Sequence, residues 1–353
     1  MLIGNGSSSL SQDQFFKLHP PLFAVKRRPR SQPQSITRSE TRFGGLDGRN
    51  GNTMKAQICE QITERIETLL ATGVVPWHKP WKASTGLPRN LVTNQPYRGI
   101  NVFLLMSMSY ESPHWLTFRQ AIQLGGSVKK GEKACPIVFW KQTTIEDKET
   151  EKQRKIPMLR LYYVFNIAQC EGLKASPAAE VVPLITTSAA EIVAGMPQPP
   201  IIKHGMTRAY YSPSDDTVGM PERKRFETED AYHATLFHEL VHSTGHASRL
   251  KRASIMERNG FGSMPYCKEE LVAELGSAFL CGYAEIIDRT IDNSAAYIEG
   301  WLDSLKDDPT LIVYAAAQAQ KAADFILGNG PEDGAVKTAT TATPPPLVQE
   351  VCA

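Results

Sequence analysis

The apolar positions of the first half of the chain predict one amphipathic helix followed by strands. Isoleucines and leucines recur at helical spacing over Met54–Thr72, and Gly73 ends this predicted helix. Short apolar runs predict strands at Ile137–Trp140 and Leu159–Asn166, joined by the charged loop Glu146–Lys155. The first half is therefore expected to mix helices and strands.

The second half is predicted to be mainly helical, with one short strand. Helices are predicted at Ser188–Ala194, Asp292–Leu305 and Thr310–Leu327, and the last is rich in alanine, which suits close helix packing. Arg208–Tyr211 predicts a strand, and Ser212–Asp216 predicts the turn after it. Together the two halves indicate an α+β fold.

A further helix is predicted around the segment T-L-F-H-E-L-V-H. Thr228 is a suitable N-cap, and Glu229 and Asp230 follow it in the first turn, where negative charge interacts favourably with the helix dipole. Gly245 suits the position just after the C-terminal end. The apolar residues between these ends predict that the helix packs in the interior.

The same helix carries the motif H-E-x-x-H. His238 and His242 are four residues apart, so both imidazoles lie on one face of the helix and can bind one Zn²⁺. Glu239 lies between them and is the candidate general base of a hydrolytic reaction. The alternative is a pentapeptide that occurs by chance on a core helix.

A catalytic zinc site needs a third protein ligand. His246 comes too early for the metzincin pattern, and Ser248 occupies the position where that pattern has its third histidine. The downstream segment Y-C-K-E-E-L-V-A-E-L resembles the gluzincin arrangement. By that resemblance Glu270 is the third ligand and Glu274 supports a ligand histidine, while Glu269 competes for the ligand role. The alternative is a solvated face of glutamates.

Charge and cysteine content limit the kinds of partner. Residues 54–173 contain 16 Lys and Arg against 10 Asp and Glu, whereas residues 174–353 contain 15 against 24. A polyanionic partner is therefore expected to bind the first half. The six cysteines form no C-x-x-C pair, which favours a reducing cytoplasm. No apolar run reaches the length of a transmembrane helix, so no membrane partner is expected.

Composition also predicts the domain boundaries. Residues 1–53 and 331–353 lack periodicity and are expected to be a disordered extension and a disordered tail, and the first of them has no secretory signal. The segment 174–188, rich in Ala, Pro and Thr, is expected to be a linker. These assignments leave two domains, residues 54–173 and 189–330.

Aromatic and basic residues are interleaved along the first domain. Aromatic rings stack on bases while Lys and Arg bind phosphates, so together they predict a sequence-tolerant site for single-stranded DNA. The alternative is that the tryptophans belong to the core and the lysines are ordinary surface residues. The candidate DNA-binding residues are Trp77, Lys79, Trp81, Lys82, Arg89, Tyr97, Arg98, Asn101, Arg119, Lys129, Lys130 and Lys133.

The order of short motifs resembles that of ArdC-type antirestriction proteins. The first half contains P-W-x-K-P-W, Y-R-G-I-N, T-F-R-Q-A, G-G-x-V-x-K-G-E-K and V-F-N-I-A-Q-C-E-G-L, and related domains open TraC-type conjugative primases. The second half contains R-A-Y-Y-S-P-S-D-D, M-P-E-R, F-H-E-L-V-H-S-T-G-H-x-S-R-L and E-E-L-V-A-E-L. The resemblance extends from about Met54 to Gly328.

The resemblance implies an N-terminal mixed α/β domain that binds single-stranded DNA, joined to a zincin-like metallopeptidase domain of the gluzincin type. It implies protection of incoming plasmid DNA from host restriction, with Zn²⁺ as the cofactor and Mn²⁺ or Co²⁺ as alternatives. A host restriction-related protein is a candidate peptidase substrate. Two other functions stay open: a non-catalytic DNA-binding protein with a structural metal, and a primase accessory of conjugative transfer.

Further residues are assigned by the needs of such a peptidase. By analogy with zincins, the strand Arg208–Tyr211 is expected to hold an extended peptide. Arg249 and Arg252 are expected to form ion pairs at the helix end or beside a ligand. A group that stabilises the oxyanion is also needed, and the sequence leaves four candidates unranked: His204, Tyr210, Tyr211 and Tyr266.

Overall fold

The computed structural model of the chain describes residues 48–78, 86–146, 153–173, 187–256, 264–286 and 295–329. Within these ranges no helix is both long and apolar enough to cross a membrane. Most of the predicted linker 174–188 lies outside the described residues, as do the C-terminal tail and the larger part of the N-terminal extension.

The first half is built on a four-stranded sheet with the strand order β1-β2-β5-β4. In it β1 and β2 are parallel, and the other neighbouring strands are antiparallel. Strands β3 and β6 form a separate antiparallel pair. The elements are α1 (Gly48–Ala71), β1 (Arg89–Asn90), α2 (Ile100–Met106), β2 (His114–Leu116), α3 (Phe118–Gln123), β3 (Ser127–Val128), β4 (Cys135–Glu146), β5 (Gln153–Asn166) and β6 (Cys170–Glu171).

Helix α1 confirms the amphipathic pattern of the first predicted element. Its regularly spaced Ile58, Ile62, Ile66 and Leu70 are all buried. The helix begins at Gly48, before the predicted start at Met54 and inside the segment expected to be disordered. The residues of that first part are polar or glycine, so they add nothing to the apolar repeat from which the start was predicted.

The hairpin of β4 and β5 is longer than the two predicted strands. The ladder continues through Thr143 opposite Ile156 to Glu146 opposite Gln153. Glu146 and Gln153–Lys155, which were predicted to lie in a loop, therefore belong to the strands, and residues 147–152 lie outside the described residues. Antiparallel pairing satisfies the backbone whatever the side chains are, so a hairpin can extend beyond its apolar residues.

The second half combines a small sheet with a group of helices. The sheet has the order β7-β9-β8, so β8 lies at its edge, as the predicted substrate strand requires. Strands β7 and β9 are parallel, and β8 is antiparallel to β9. The elements are α4 (Ala189–Gly195), β7 (Ile201–Lys203), β8 (Tyr210–Ser212), β9 (Thr217–Gly219), α5 (Glu229–Ser243), α6 (Ala253–Met256), α7 (Met264–Tyr283), α8 (Ala295–Asp307) and α9 (Leu311–Ile326).

Helix α5, which carries the H-E-x-x-H motif, starts and ends where its capping residues predict. The Thr228 hydroxyl accepts a hydrogen bond from the Ala231 N–H at 3.0 Å. The last helical residue is Ser243, Thr244 is the C-cap, and Gly245 follows it. The helix is buried along most of its length, polar residues included, because it runs through the interior of the second half.

Helices α5 and α7 approach each other closely at one glycine. A Cβ atom added to Gly276 of α7 would lie 2.7 Å from Cγ2 of Val241 on α5, which is closer than real Cβ contacts come. The absence of a side chain at Gly276 therefore allows the two backbones to come together. This contact brings the helix with the two histidines against the helix with the candidate glutamate ligands.

One hydrophobic core extends through both halves. Trp77 packs edge-on against Trp301, with ring centroids 6.4 Å apart, and Phe103 lies 4.7 Å from Phe279. The Thr63 hydroxyl also donates to the Pro309 carbonyl at 2.6 Å. The two sequence halves are thus packed together through buried aromatic residues.

Candidate metal centre

The predicted metal ligands come together between α5 and α7. His238 and His242 are one turn apart on α5, and their Nε2 atoms are 3.1 Å from each other. Glu270, near the start of α7, has one carboxylate oxygen 3.4 Å from His238 Nε2 and the other 3.6 Å from His242 Nε2. The ligand atoms of these residues form a cluster within 4.8 Å.

These distances fit a divalent cation with tetrahedral coordination. Nitrogen and oxygen ligands at bond lengths of about 2.0–2.1 Å and tetrahedral angles lie about 3.3–3.4 Å from one another. The separation of 3.1 Å between the two Nε2 atoms is close to that value, as are the nearest nitrogen–oxygen distances of 3.4 and 3.6 Å, which involve the two different oxygens of Glu270. Two histidines and one glutamate are also a donor set of catalytic zinc sites, which keep one coordination position open. The residues therefore fit a bound metal ion.

Each imidazole also faces a carboxylate on its Nδ1 side. His242 Nδ1 donates to Glu269 Oε1 at 3.3 Å, and His238 Nδ1 lies 3.9 Å from Glu274 Oε1. Such partners orient a ligand imidazole and fix its tautomer. Glu274, the predicted support of a ligand histidine, thus lies beside His238. Glu269, the competitor for the ligand role, lies on the outer side of His242 and outside the ligand cluster.

The charges of the cluster are mutually stabilising. Burial alone would raise the pKa of Glu270, but the charge of His242 and hydrogen bonds with both histidines lower it below its ordinary value. Burial alone would lower the pKa of His242, yet Glu270 and Glu269 raise it well above the ordinary value. The site therefore favours an anionic Glu270 that faces positive charge, an arrangement that a divalent cation also satisfies.

Glu239 is buried beside the cluster. Burial raises the pKa of its carboxyl group, and the charges of His238 and His242 act in the opposite direction. The carboxylate also accepts a hydrogen bond from the backbone N–H of Tyr211 in β8. The edge strand of the small sheet thus contacts the candidate base directly.

Among the four candidates for stabilising the oxyanion, Tyr266 lies at the cluster. Burial, together with the negative charge and hydrogen bond of Glu270, raises the pKa of the Tyr266 phenol. The other three candidates have partners elsewhere: Tyr211 Oη donates to Asp216 Oδ1 at 2.9 Å, Tyr210 Oη to Met206 Sδ at 3.7 Å, and His204 Nε2 lies 2.8 Å from Tyr232 Oη.

Comparison with known families matches both halves of the chain. Residues 56–165 match the N-terminal domain of anti-restriction factor ArdC, and residues 191–318 match a zincin-like metallopeptidase family. Antirestriction protein ArdC from plasmid R388 has a similar solved structure. In its metal-free form it shares 38% sequence identity at a TM-score of 0.63, over 77% of this chain and 97% of that one.

This chain belongs to the ArdC antirestriction family. The Mn(II)-bound R388 ArdC structure gives a TM-score of 0.61 at 36% identity, over 78% of this chain and 98% of the other. Protein y4eC of Sinorhizobium fredii is 34% identical over 290 residues, or 76% of this chain and 91% of that protein. DNA primase TraC of Escherichia coli is 36% identical over 296 residues, or 78% of this chain. The chain spans only 27% of that primase's length.

In the ArdC-type first half, several predicted DNA-binding residues prove to be part of the core. Trp77, Arg89, Tyr97 and Asn101 are all buried, with exposed fractions of 3%, 5%, 3% and 4%. Asn101 uses its amide to pair with the backbone of Val138, accepting from the N–H at 2.8 Å and donating to the carbonyl at 2.7 Å. In this structure these four side chains therefore present almost no surface to a bound DNA strand.

The remaining predicted DNA-binding residues differ in their placement. Arg98 is exposed but forms an ion pair with Asp324 of α9, so it links the two halves of the chain. The cations that remain on the surface are Arg119, Lys129, Lys130 and Lys133. Lys79, Trp81 and Lys82 lie outside the described residues.

The sequence prediction missed four exposed aromatic residues of the β4–β5 hairpin. Phe139, Trp140, Tyr162 and Tyr163 are between 39% and 53% exposed. Adjacent residues of a strand point to opposite faces, so the pairs F-W and Y-Y cannot both be buried on one face. That alternation could have predicted the exposure of one residue of each pair, whereas both residues of each pair are exposed.

Proposed function

We propose that this chain protects incoming plasmid DNA from restriction by binding single-stranded DNA with its first half and hydrolysing a peptide bond at the metal centre of its second half. The observation that carries the peptidase part is the cluster of His238, His242 and Glu270 with Glu239 buried beside it. The similarity to antirestriction protein ArdC of plasmid R388 supports the biological role. The proposed place of action is the cytoplasm of the receiving cell.

Zn²⁺ is the proposed ion at His238, His242 and Glu270, because two imidazoles and a carboxylate are typical of catalytic zinc sites. Mn²⁺ is the second candidate, since the R388 relative has been crystallised with Mn(II) bound. Co²⁺ suits the same donors. A bound divalent cation would supply Lewis acidity, lowering the pKa of water and polarising a carbonyl oxygen.

The residues around the ion have separate proposed tasks. Glu239 takes a proton from the attacking water and returns it to the leaving amine, and burial raises the pKa of its carboxyl group, which favours its acting as a base. Glu269 and Glu274 hold the two imidazoles in orientation. Tyr266 is the proposed hydrogen-bond donor to the carbonyl oxygen, because its hydroxyl lies beside Glu270.

The edge strand β8 is the proposed binding site of the peptide substrate. It lies at the end of the strand order β7-β9-β8, and its Tyr211 N–H already bonds to Glu239. An extended peptide added to this edge would run close to the base, since edge strands bind peptides by backbone pairing. A host restriction-related protein is the proposed substrate.

The exposed rings of Phe139 and Tyr162 on the β4–β5 hairpin are the proposed stacking surface for single-stranded DNA. Phe139 and Tyr162 lie on one face of the hairpin with ring centroids 5.9 Å apart. Arg160 is directly opposite Phe139 in the ladder, and the exposed Lys141 follows two residues later on the same face. Aromatic rings with neighbouring cations are the usual elements of a sequence-tolerant single-strand site.

This DNA surface predicts a large loss of affinity when both rings are removed. Stacking is worth about 1–3 kcal/mol per base, so the loss of two stacking rings in Phe139→Ala with Tyr162→Ala should weaken binding of a short oligonucleotide by at least about 30-fold. Tyr314→Ala, which removes an exposed ring from α9, is the matched control and should bind as the wild type does. Wild-type affinity should also fall steeply with salt. Salt-independent binding, or no effect of the double change, would contradict the proposal.

Transfer of an unmodified plasmid into a restricting host tests the function as a whole. The wild-type chain and Glu239→Ala are compared in the receiving cell at matched protein levels. We expect protection by the wild type and its loss with Glu239→Ala. Equal protection by both would mean that the first half protects DNA by occupying it and that hydrolysis serves another task. Failure of the wild type to protect would refute the antirestriction role.

A further inference from the structure

Arg252 is a buried cation that joins the two helices of the metal centre. Its side chain is only 3% exposed. It donates two hydrogen bonds to the carboxylate of Glu269 on α7, from Nη2 to Oε1 at 2.6 Å and from Nε to Oε2 at 3.0 Å. On the α5 side it donates to the Val241 carbonyl at 2.8 Å and to the Thr244 hydroxyl at 2.6 Å.

These contacts suit a guanidinium because its planar fork can bind a carboxylate and backbone carbonyls at once. The last carbonyls of a helix carry partial negative charge, which the Arg252 guanidinium offsets at the end of α5. Its positive charge also compensates Glu269, whose pKa is lowered to about 2 despite a burial that would raise it. Hydrogen bonds with His242 and Arg252 account for that lowering.

We infer that Arg252 is a positioning residue for the metal centre and sets its affinity through Glu269. Glu269 Oε1 accepts hydrogen bonds from both the Arg252 guanidinium and His242 Nδ1. An imidazole that donates from Nδ1 keeps its Nε2 lone pair for a metal ion. Glu269 also immediately precedes the ligand Glu270, so holding it fixes the rotation of α7 at the ligand. This inference rests on the metal centre of the proposed function.

Arg249 provides a matched comparison within the same loop. Its side chain is 1% exposed, and its Nε donates to the Ser243 carbonyl at 2.8 Å, so it also binds the end of α5. Its carboxylate partner, however, is Asp216 of the turn between β8 and β9, which holds no metal ligand. Both arginines thus bind a carboxylate and the end of α5, but only Arg252 reaches α7.

The test compares Arg252→Lys with Arg249→Lys in the full chain. Zn²⁺ affinity is measured by competition with a chromophoric chelator, and the site geometry by the visible absorption of bound Co²⁺. We expect Arg252→Lys to weaken Zn²⁺ binding by about 10- to 100-fold and to change the Co²⁺ spectrum, the size of effect known for outer partners of metal ligands. Arg249→Lys should keep the wild-type affinity and spectrum even if its melting temperature falls as much.

Wild-type affinity and spectrum in folded Arg252→Lys would overturn the inference. If that variant does not fold, Ser254→Ala replaces it, because the Ser254 hydroxyl donates to Glu269 Oε2 at 2.5 Å. That change should weaken Zn²⁺ binding by a smaller factor, and unchanged affinity would again refute the inference. A wild-type chain that binds neither ion would instead refute the proposed metal centre, which is a separate result.

Discussion

Replacing Glu239 with glutamine is expected to slow metal-dependent peptide hydrolysis by roughly 10²- to 10⁴-fold, the usual contribution of a positioned acid–base group. Glutamine has nearly the same shape and can still accept the hydrogen bond from the Tyr211 N–H. It cannot take a proton from water at neutral pH. The change therefore removes the chemistry of the residue and retains its place in the structure.

The measurement for Glu239→Gln is the release of new amino termini from an extract of a restricting host, compared with the wild-type chain. A whole extract is used because the proposed substrate is one host protein, which a generic peptide assay would miss. Zn²⁺ content is measured on the same samples and should be equal. Loss of the metal with this change would mean that Glu239 is a structural residue. Undiminished hydrolysis would contradict its role as the base.

The parts of the site that could be predicted from sequence depend on local spacing. His238 and His242 are separated by one helical turn, so the helix alone determines that their imidazoles share a face. Glu270 was assigned by resemblance to a second helix pattern, and it joins the two histidines in the ligand cluster. The role of Glu269 could not be predicted, because it depends on a contact with His242 across 27 positions of the chain.

The burial of some candidate DNA-binding residues could not be predicted, because composition does not distinguish an aromatic residue in the core from one on the surface. Trp77 and Tyr97 have neighbours typical of a nucleic-acid site, yet their rings are buried. Asn101 pairs with Val138, 37 positions away, to cover the free edge of β4. Such pairings follow from which elements are adjacent, and no local pattern in the sequence records that adjacency.

The two domains predicted from composition also share more than a linker. The motif Y-R-G-I-N of the first half contacts α9 of the second half, where Gly99 N–H donates to Gln320 Oε1 at 3.0 Å and Arg98 pairs with Asp324. Phe103, a few residues later, packs on Phe279 of α7, the helix that carries the candidate ligand Glu270. The first half therefore packs against the helix that carries a metal-ligand candidate, in addition to carrying the proposed DNA-binding surface.

Replacing Glu270 with glutamine is expected to reduce metal affinity by more than about 100-fold, beyond the range for residues that only support a ligand. Glu270 supplies the anionic donor of the cluster, and its carboxylate contacts Nε2 of both His238 and His242. An amide in its place has no charge to offset that of a divalent cation. The melting temperature of the wild type should rise with added Zn²⁺, because the ion binds the folded state, whereas that of Glu270→Gln should not.

Glu274→Gln is the matched control for the Glu270 change, since it alters a carboxylate one turn later on the same helix. Glu274 faces His238 Nδ1, on the outer side of the ring, so its loss should cost about 10- to 100-fold in affinity and leave a measurable rise in melting temperature with Zn²⁺. If Glu274→Gln abolished binding while Glu270→Gln did not, the ligand assignment would be reversed. Near wild-type affinity in Glu270→Gln would mean that another carboxylate of α7 holds the ion.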